Sequence, residues 1–211
     1  MDTPAWISAA ALLAVGAAAA LGPVRLTCRA VLRRFGSRDI MRHWQVPVTY
    51  GVQAGLPGAV ALAAWTGGPQ GALLAAVTGL LSLLATLDLA WRWLPFAWTL
   101  PLLALGMVAA PDWAIAAAGA ATGAGLLWAL QLYYRLRRGI DALGTGDIWL
   151  AAGLGALTDP ARIGLILGLA AVTALGAEIL SRTRHGPAKP RRMGVAYGAH
   201  LCAAYIILFP F

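Results

Sequence analysis

The sequence predicts an all-α fold: a polytopic membrane helix bundle of about six to eight membrane segments, forming one integral membrane domain over residues 1–211. Three observations carry that expectation. Hydrophobic residues make up 60% of the 211 positions and charged residues only 11%, with a mean hydropathy of +0.74; soluble domains carry roughly 25% charged residues. Apolar runs rich in Ala, Leu and Gly recur at roughly the 17 to 25 residues that a bilayer core of about 30 Å demands of a helix. The cations gather in alternate loops between these runs.

Apolar runs bounded by charge clusters and Pro/Gly breaks give eight candidate segments: 5–22, 47–66, 71–88, 94–110, 113–132, 147–157, 161–180 and 194–210. No Lys or Arg precedes the first and Asp2 is the lone early charge, so it lacks the positive region of a cleavable signal and reads as a retained helix. The third ends at Asp88. The fourth restarts after a turn at Pro95, since proline is tolerated in a first helical turn but not in an interior. The sixth is too short to span: at about 1.5 Å per residue it covers about half of the hydrocarbon, as a half-helix or as part of a helix begun in the preceding loop.

Orientation follows from the cations. Arg25, Arg29, Arg33, Arg34, Arg38 and Arg42 share the first loop, Arg92 the third, Arg135, Arg137 and Arg138 the fifth, and Arg182, Arg184, Lys189, Arg191 and Arg192 the seventh. Fifteen of the sixteen basic residues thus fall on one side, leaving Arg162 on the other. The positive-inside rule then puts both termini outside the cytoplasm and Asp88 and Asp147 towards the cytoplasmic face of the membrane. The net charge of +8 is juxtamembrane, which points to anionic lipid and topology control rather than nucleic acid. Cys28 and Cys202 form no CxxC pair, so neither a zinc site nor a disulfide framework is expected. No metal and no cofactor is called for.

Asp88 and Asp147 are the chemically informative residues. A carboxylate at the edge of an apolar segment is costly and a functional candidate by default. Taken alone, Asp88 in Leu87-Asp88-Leu89-Ala90-Trp91-Arg92 reads as an interfacial acid paired with Arg92. Taken alone, Asp147 in Gly144-Thr145-Gly146-Asp147 reads as a helix N-cap, although Gly144 and Gly146 would let another backbone approach it closely. If the two acids face each other in a partly dry cavity, repulsion and desolvation make them share one proton, the arrangement that suits peptide hydrolysis. The ionised member takes a proton from the attacking water while the protonated member donates to the scissile carbonyl.

Other schemes find less support. His43 and His185 sit in basic loops, His200 reads as a bundle-interior residue bonded to a neighbouring carbonyl, and Glu178 as an ion pair with Arg182 at spacing four. A proton-coupled membrane transporter subunit using Asp88 and Asp147 as a relay is the alternative, since intramembrane acids mark such paths too. It does not require the glycine context of Asp147. A purely structural subunit is a third reading; a presenilin-like protease would need a Pro-Ala-Leu motif that the last segments lack.

Over residues 71–210 the chain resembles the type IV prepilin peptidases, GxGD aspartyl proteases of the membrane. Asp88 with Pro95 seven positions later matches the first motif of that family. Gly144 to Asp147, followed by Ala151-Ala152-Gly153-Leu154-Gly155-Ala156, matches the second, and Gly194 to Ala199 resembles the closing region of short members. The resemblance implies Asp88 and Asp147 as catalytic residues, with Gly144, Gly146 and Pro95 in support. It implies cleavage, on the cytoplasmic side, after a glycine that precedes the hydrophobic helix of a prepilin or pseudopilin precursor. Leader recognition would draw on Asp141, Asp39 or backbone carbonyls. Members commonly carry Lys where this chain has Trp149 and often Asn where it has Phe96. Long members carry a domain with paired CxxC motifs, associated with N-methylation; with only Cys28 in the first loop, a peptidase-only short form is expected.

Overall fold

The computed structural model describes residues 73, 76–89, 92–185 and 195–209. The segments expected at 5–22 and 47–66, with the basic first loop, Cys28, Asp39 and His43, lie outside the described residues. Among those described, every regular element is a helix: α1 Ala76–Leu89, α2 Phe96–Ala109, α3 Trp113–Arg138, α4 Thr145–Ala156, α5 Pro160–His185 and α6 Tyr197–Leu208. The chain groups into two compact units, Met1–Thr86 and Leu87–Phe211.

The boundary falls within α1, whose last residues, Leu87–Leu89, open the second unit; in the first unit α1 buries Val77, Leu81 and Leu84, and the Thr86 hydroxyl donates to the Ser82 carbonyl at 2.7 Å. A hydroxyl within an apolar helix is satisfied here by its own preceding turn. The remaining helices belong to the second unit. Two stretches are long and apolar enough to cross a bilayer, Trp113–Arg138 and Pro160–Leu180. Ala76–Leu89, Phe96–Ala109 and Tyr197–Leu208 are shorter apolar helices.

Helix ends follow local chemistry. The Asp112 carboxylate accepts from the Ala114 N–H at 2.8 Å and opens α3. Beyond the expected limit at 132, α3 continues to Arg138, because Arg135, Arg137 and Arg138 complement the negative end of the helix. It stops at Gly139, whose φ of 66° is left-handed and whose N–H returns to the Arg135 carbonyl at 3.0 Å. Pro160 occupies the first position of α5, and Asp159 accepts from the Ala161 and Arg162 N–H groups at 2.9 and 2.8 Å. Arg162, the lone cation of its side, pairs with Asp159 at 3.2 Å.

α4 is a half-helix of 12 residues, about 18 Å long at 1.5 Å per residue. It begins two residues earlier than expected, at Thr145, since Gly144 and Asp147 close its first turn against each other. Leu150 to Ala156 are all buried, and α4 packs most extensively on α3 and then on α2. Glycines create those contacts. A Cβ on Gly119 would strike the Gly155 carbonyl, one on Gly155 the Gly119 carbonyl, and one on Gly123 the Ala151 carbonyl. Gly119 and Gly123 share one face of α3, as Ala151 and Gly155 share one face of α4, because residues four apart are neighbours on a helix. Close backbone approach between small residues is how helices associate where no hydrophobic force acts between them. On the α2 side, a Cβ at Gly106 would lie 2.8 Å from the Ala156 Cβ and one at Gly153 would lie 3.1 Å from Leu102. Phe96 meets Trp149 edge-to-face, with centroids 4.9 Å apart at 74°, and so joins the first turns of α2 and α4.

Substituting Gly155→Val is therefore expected to destabilise the bundle by about 3 kcal/mol or more, at or beyond the upper end of ordinary overpacking, because backbone rather than a flexible side chain blocks it. Gly168→Val, where nothing lies within 4 Å of the added carbon, serves as the matched control. Thermal unfolding in detergent micelles should lower the midpoint for the first variant and leave the second near wild type.

Candidate active site

Three chain segments meet at one end of the second unit: the exit of α1, the entry of α4 and the entry of α6. α1 ends just past Asp88, and the chain turns through Arg92, whose N–H donates to the Asp88 carbonyl at 2.9 Å. Arg92 has a φ of 53°, the only non-glycine positive φ among the described residues. That conformation is strained for a long side chain and persists where surrounding structure fixes it. The turn then runs through Leu94 to Pro95, which caps α2 in an extended conformation.

Leu94 explains the second glycine of the GxGD string. A Cβ on Gly146 would lie 2.5 Å from the Leu94 Cβ and 2.6 Å from its carbonyl oxygen. The turn behind Asp88 therefore rests directly on the first turn of α4, one residue before Asp147. Gly144 is different: it takes an ordinary extended conformation, with φ −73° and ψ 144°. Its carbonyl accepts the Asp147 N–H at 3.1 Å, and its own N–H donates to Asp147 Oδ2 at 3.2 Å. Asp147 is thus the third residue of the helix reaching back to the cap, not the cap expected from sequence.

Both acids then converge on α6. Asp88 is 5% exposed, and its Oδ2 accepts the Ala199 N–H at 2.8 Å across 111 residues of sequence. Asp147 Oδ1 is buried and makes no close hydrogen bond among the described residues, while the Gly198 backbone N–H acts on both carboxyls. A Cβ built on Gly198 would lie 3.0 Å from Asp147 Oδ1 and 3.1 Å from Asp88 Oδ2. The two oxygens are therefore at most about 6 Å apart, within the reach of one bridging water. Leu94 Cδ1 covers the same spot at 2.5 Å, placing an apolar wall beside the pair.

Sequence-based expectations fare unevenly here. Asp88, Asp147 and Gly146 come together. Pro95 and Gly144 serve as caps on the two entering helices. The expected ion pair of Asp88 with Arg92 is not among the ion pairs of the described residues: Arg92 lies within electrostatic range, but the close partner of Asp88 is a backbone amide. Asp141 pairs with Arg135 at 3.4 Å in an exposed loop that Gln131 ties back through the Leu143 carbonyl at 3.3 Å. Glu178 and Arg182 form the ion pair anticipated, at 2.9 Å. His200 binds the Thr173 hydroxyl at 3.1 Å rather than a carbonyl. Phe96 and Trp149, the two departures from the prepilin-peptidase pattern, contact one another. Sequence reasoning missed Leu94, Gly198 and Ala199 as site residues, although the Gly194 to Ala199 string was the available signal.

Among the described residues no group of three His, Cys, Asp or Glu side chains could hold a metal ion. The assembled groups are two carboxyls, two backbone donors and a bare glycine, the kinds of group that can take up and release protons.

Comparison with known proteins gives one consistent picture. The profile of the type IV leader peptidase family matches residues 75–179. The prepilin leader peptidase/N-methyltransferase of Escherichia coli K12 is 33% identical over 162 residues, which cover 74% of this chain and 71% of that relative. Its namesake from Burkholderia pseudomallei 1026b is 31% identical over 166 residues, 73% of this chain and 53% of the relative. The one from Neisseria gonorrhoeae is 31% identical over 115 residues, 52% of this chain and 40% of the relative. The chain thus spans about half or less of the latter two proteins. No solved structure matches it significantly. With a profile match across α1 to α5 and identity extending over most of the Escherichia coli relative, the chain belongs to the type IV leader peptidase family and is a protease.

Proposed function

We propose that this chain cleaves the leader from type IV pilin-like precursors at the cytoplasmic face of the bacterial inner membrane, using Asp88 and Asp147 as a two-carboxyl water-activating pair. The observation that carries the reading is the convergence of both carboxylates on Gly198. One ionised carboxyl accepts a proton from a water lying between the pair as that water attacks the scissile carbonyl. The protonated carboxyl donates to the carbonyl oxygen, and the roles reverse as the amine departs. Asp88 and Asp147 each accept a backbone N–H, from Ala199 of α6 and from Gly144 at the entry of α4, so the two carboxyls are held by different elements in unlike settings, as such chemistry requires.

The cation pattern supports a cytoplasmic site. Arg92 lies in the α1–α2 turn, Arg135, Arg137 and Arg138 close α3, and Arg182 lies near the end of α5. Alternation of helix direction puts these ends on the side of the two acids, the side that positive charge holds in the cytoplasm. The substrate reading is cleavage after the glycine that precedes a pilin-like hydrophobic helix. Peptidase activity is the half of the relatives' name that the matched residues support; the reading includes no methyl transfer.

Co-expression with a prepilin from the same genome, scored by leader removal on a gel, tests the pair. Wild type is expected to process the precursor, whereas Asp88→Asn and Asp147→Asn each lower the rate by at least about 100-fold, the scale of one lost general acid or base, with membrane insertion intact. Full processing by either variant overturns the mechanism. The wild-type rate should also trace a bell against pH, falling at low pH as the ionised carboxyl takes up a proton and at high pH as the protonated one loses its own. A rate that keeps climbing toward high pH would contradict a shared proton. Gly198→Ala places a methyl between the two oxygens and is expected to cut the rate at least about 10-fold, whereas Gly164→Ala, on an open face of α5, leaves it unchanged.

A further inference from the structure

The glycine on which the two carboxylates converge belongs to the first turn of α6, and that turn is tied down on both sides. Tyr197 immediately precedes Gly198, and its hydroxyl donates to the Leu167 carbonyl of α5 at 3.2 Å. His200 immediately follows Ala199, and its Nδ1 lies 3.1 Å from the Thr173 hydroxyl, also on α5. The Thr173 hydroxyl also lies 3.0 and 3.1 Å from the Leu169 and Ala170 carbonyls. With one hydrogen to give, it either donates to a carbonyl and accepts from His200 Nδ1–H or donates to Nδ1, and its contact with His200 is a hydrogen bond in either tautomer.

Leu167 and Thr173 are six residues apart, about 9 Å along the helix axis. Tyr197 and His200, three apart, lie on one face of α6. Two attachments at separated points fix both the position and the rotation of the intervening turn, which one attachment cannot do. The residues so held are Gly198 and Ala199, the pair that touches Asp147 and Asp88. His200 lies within electrostatic range of Asp88, and Tyr197 within that of Asp147, so both bonds sit beside the acids and not at a remote point of the bundle.

We propose that Tyr197 and His200 are positioning residues for the Asp88–Asp147 pair, each acting through its hydrogen bond to α5 to hold Gly198 against both carboxyls and the Ala199 N–H on Asp88. The inference rests on the peptidase reading above for its consequence in rate, but not for its consequence in structure. Thr173 belongs to the same device as the hydrogen-bond partner of His200. Its carbonyl contacts within α5 are ordinary for a threonine; what distinguishes it is that its hydroxyl also meets the imidazole.

Full-length protein in detergent micelles, given a synthetic prepilin, tests the kinetic part with Tyr197→Phe, Thr173→Val and Thr173→Ser. The first two are expected to lower kcat about 5- to 30-fold with KM within about 2-fold, the scale of one lost hydrogen bond expressed in the transition state. Thr173→Ser restores the hydroxyl and should retain at least about half the wild-type kcat. Hydrogen exchange at the Ala199 amide tests the structural part without any substrate: protection should fall about 10-fold in Tyr197→Phe and Thr173→Val and persist in Thr173→Ser. Wild-type kcat and wild-type exchange in both of the first two variants would overturn the proposal, as would equal losses in the Val and Ser variants or a loss confined to KM. A wild-type protein that leaves the prepilin uncut refutes the peptidase reading instead, and the exchange measurement then decides the positioning role by itself.

Discussion

Two acids that lie 59 positions apart in the chain can share a water only if they converge at close range, and the position on which both converge is Gly198, with the Leu94 side chain beside it. A Cβ at that position would sit within about 3 Å of an oxygen from each carboxyl, inside ordinary van der Waals contact. The same α6 turn supplies the Ala199 N–H to Asp88. Spacing and donation therefore come from adjacent peptide units, and any shift of one moves the other. The fold around the site can be understood as a set of devices that deliver three helix ends to that point at close range.

α4 is the most demanding delivery. A helix of 12 residues cannot gain stability from length, because short helices are marginal by themselves and depend on packing. Its contacts with α3 and α2 come from bare backbone at Gly119, Gly123, Gly106, Gly153 and Gly155. This puts carbonyls and Cα atoms of neighbouring helices in direct contact and leaves few rotamers to adjust. Its first turn is set in the same way, with Gly146 against Leu94 and Phe96 against Trp149. Asp147 thus projects from a rigid platform, which suits a group whose chemistry depends on placement to a fraction of an ångström.

Much of this was legible in the sequence where side-chain type carries the information. Asp112 before Trp113 and Asp159 before Pro160 mark helix starts by their capping chemistry, and Asp88 and Asp147 stand out because acids are rare in apolar surroundings. The string from Ala151 to Ala156 is legible as the small-residue pattern that follows the GxGD motif. Backbone partnerships were not legible. The donor to Asp88 is a peptide N–H 111 residues away, which no residue type announces, whereas Arg92, four positions on, offered a plausible but incorrect close partner. His200 was expected to bond a carbonyl and instead found a hydroxyl one helix away, a choice that depends on the rotation of α6 on α5. The end of α3 was placed too early because hydropathy falls where the arginines begin, although cations at a helix C-terminus extend it rather than stop it.

The distance in sequence between Asp88 and Ala199 also bears on the birth of the protein. Synthesis runs from the N-terminus, and elements emerge in that order. Asp88 and Asp147 are both made before α6, yet neither the Ala199 donor nor the Gly198 spacer exists until α6 has followed. A nascent chain halted after α5 would carry both acids in an unfinished setting, unable to hold one water in common. The last of the described helices is in this sense the completing step, and the proposed site stays unassembled until the helices that frame it have all been made.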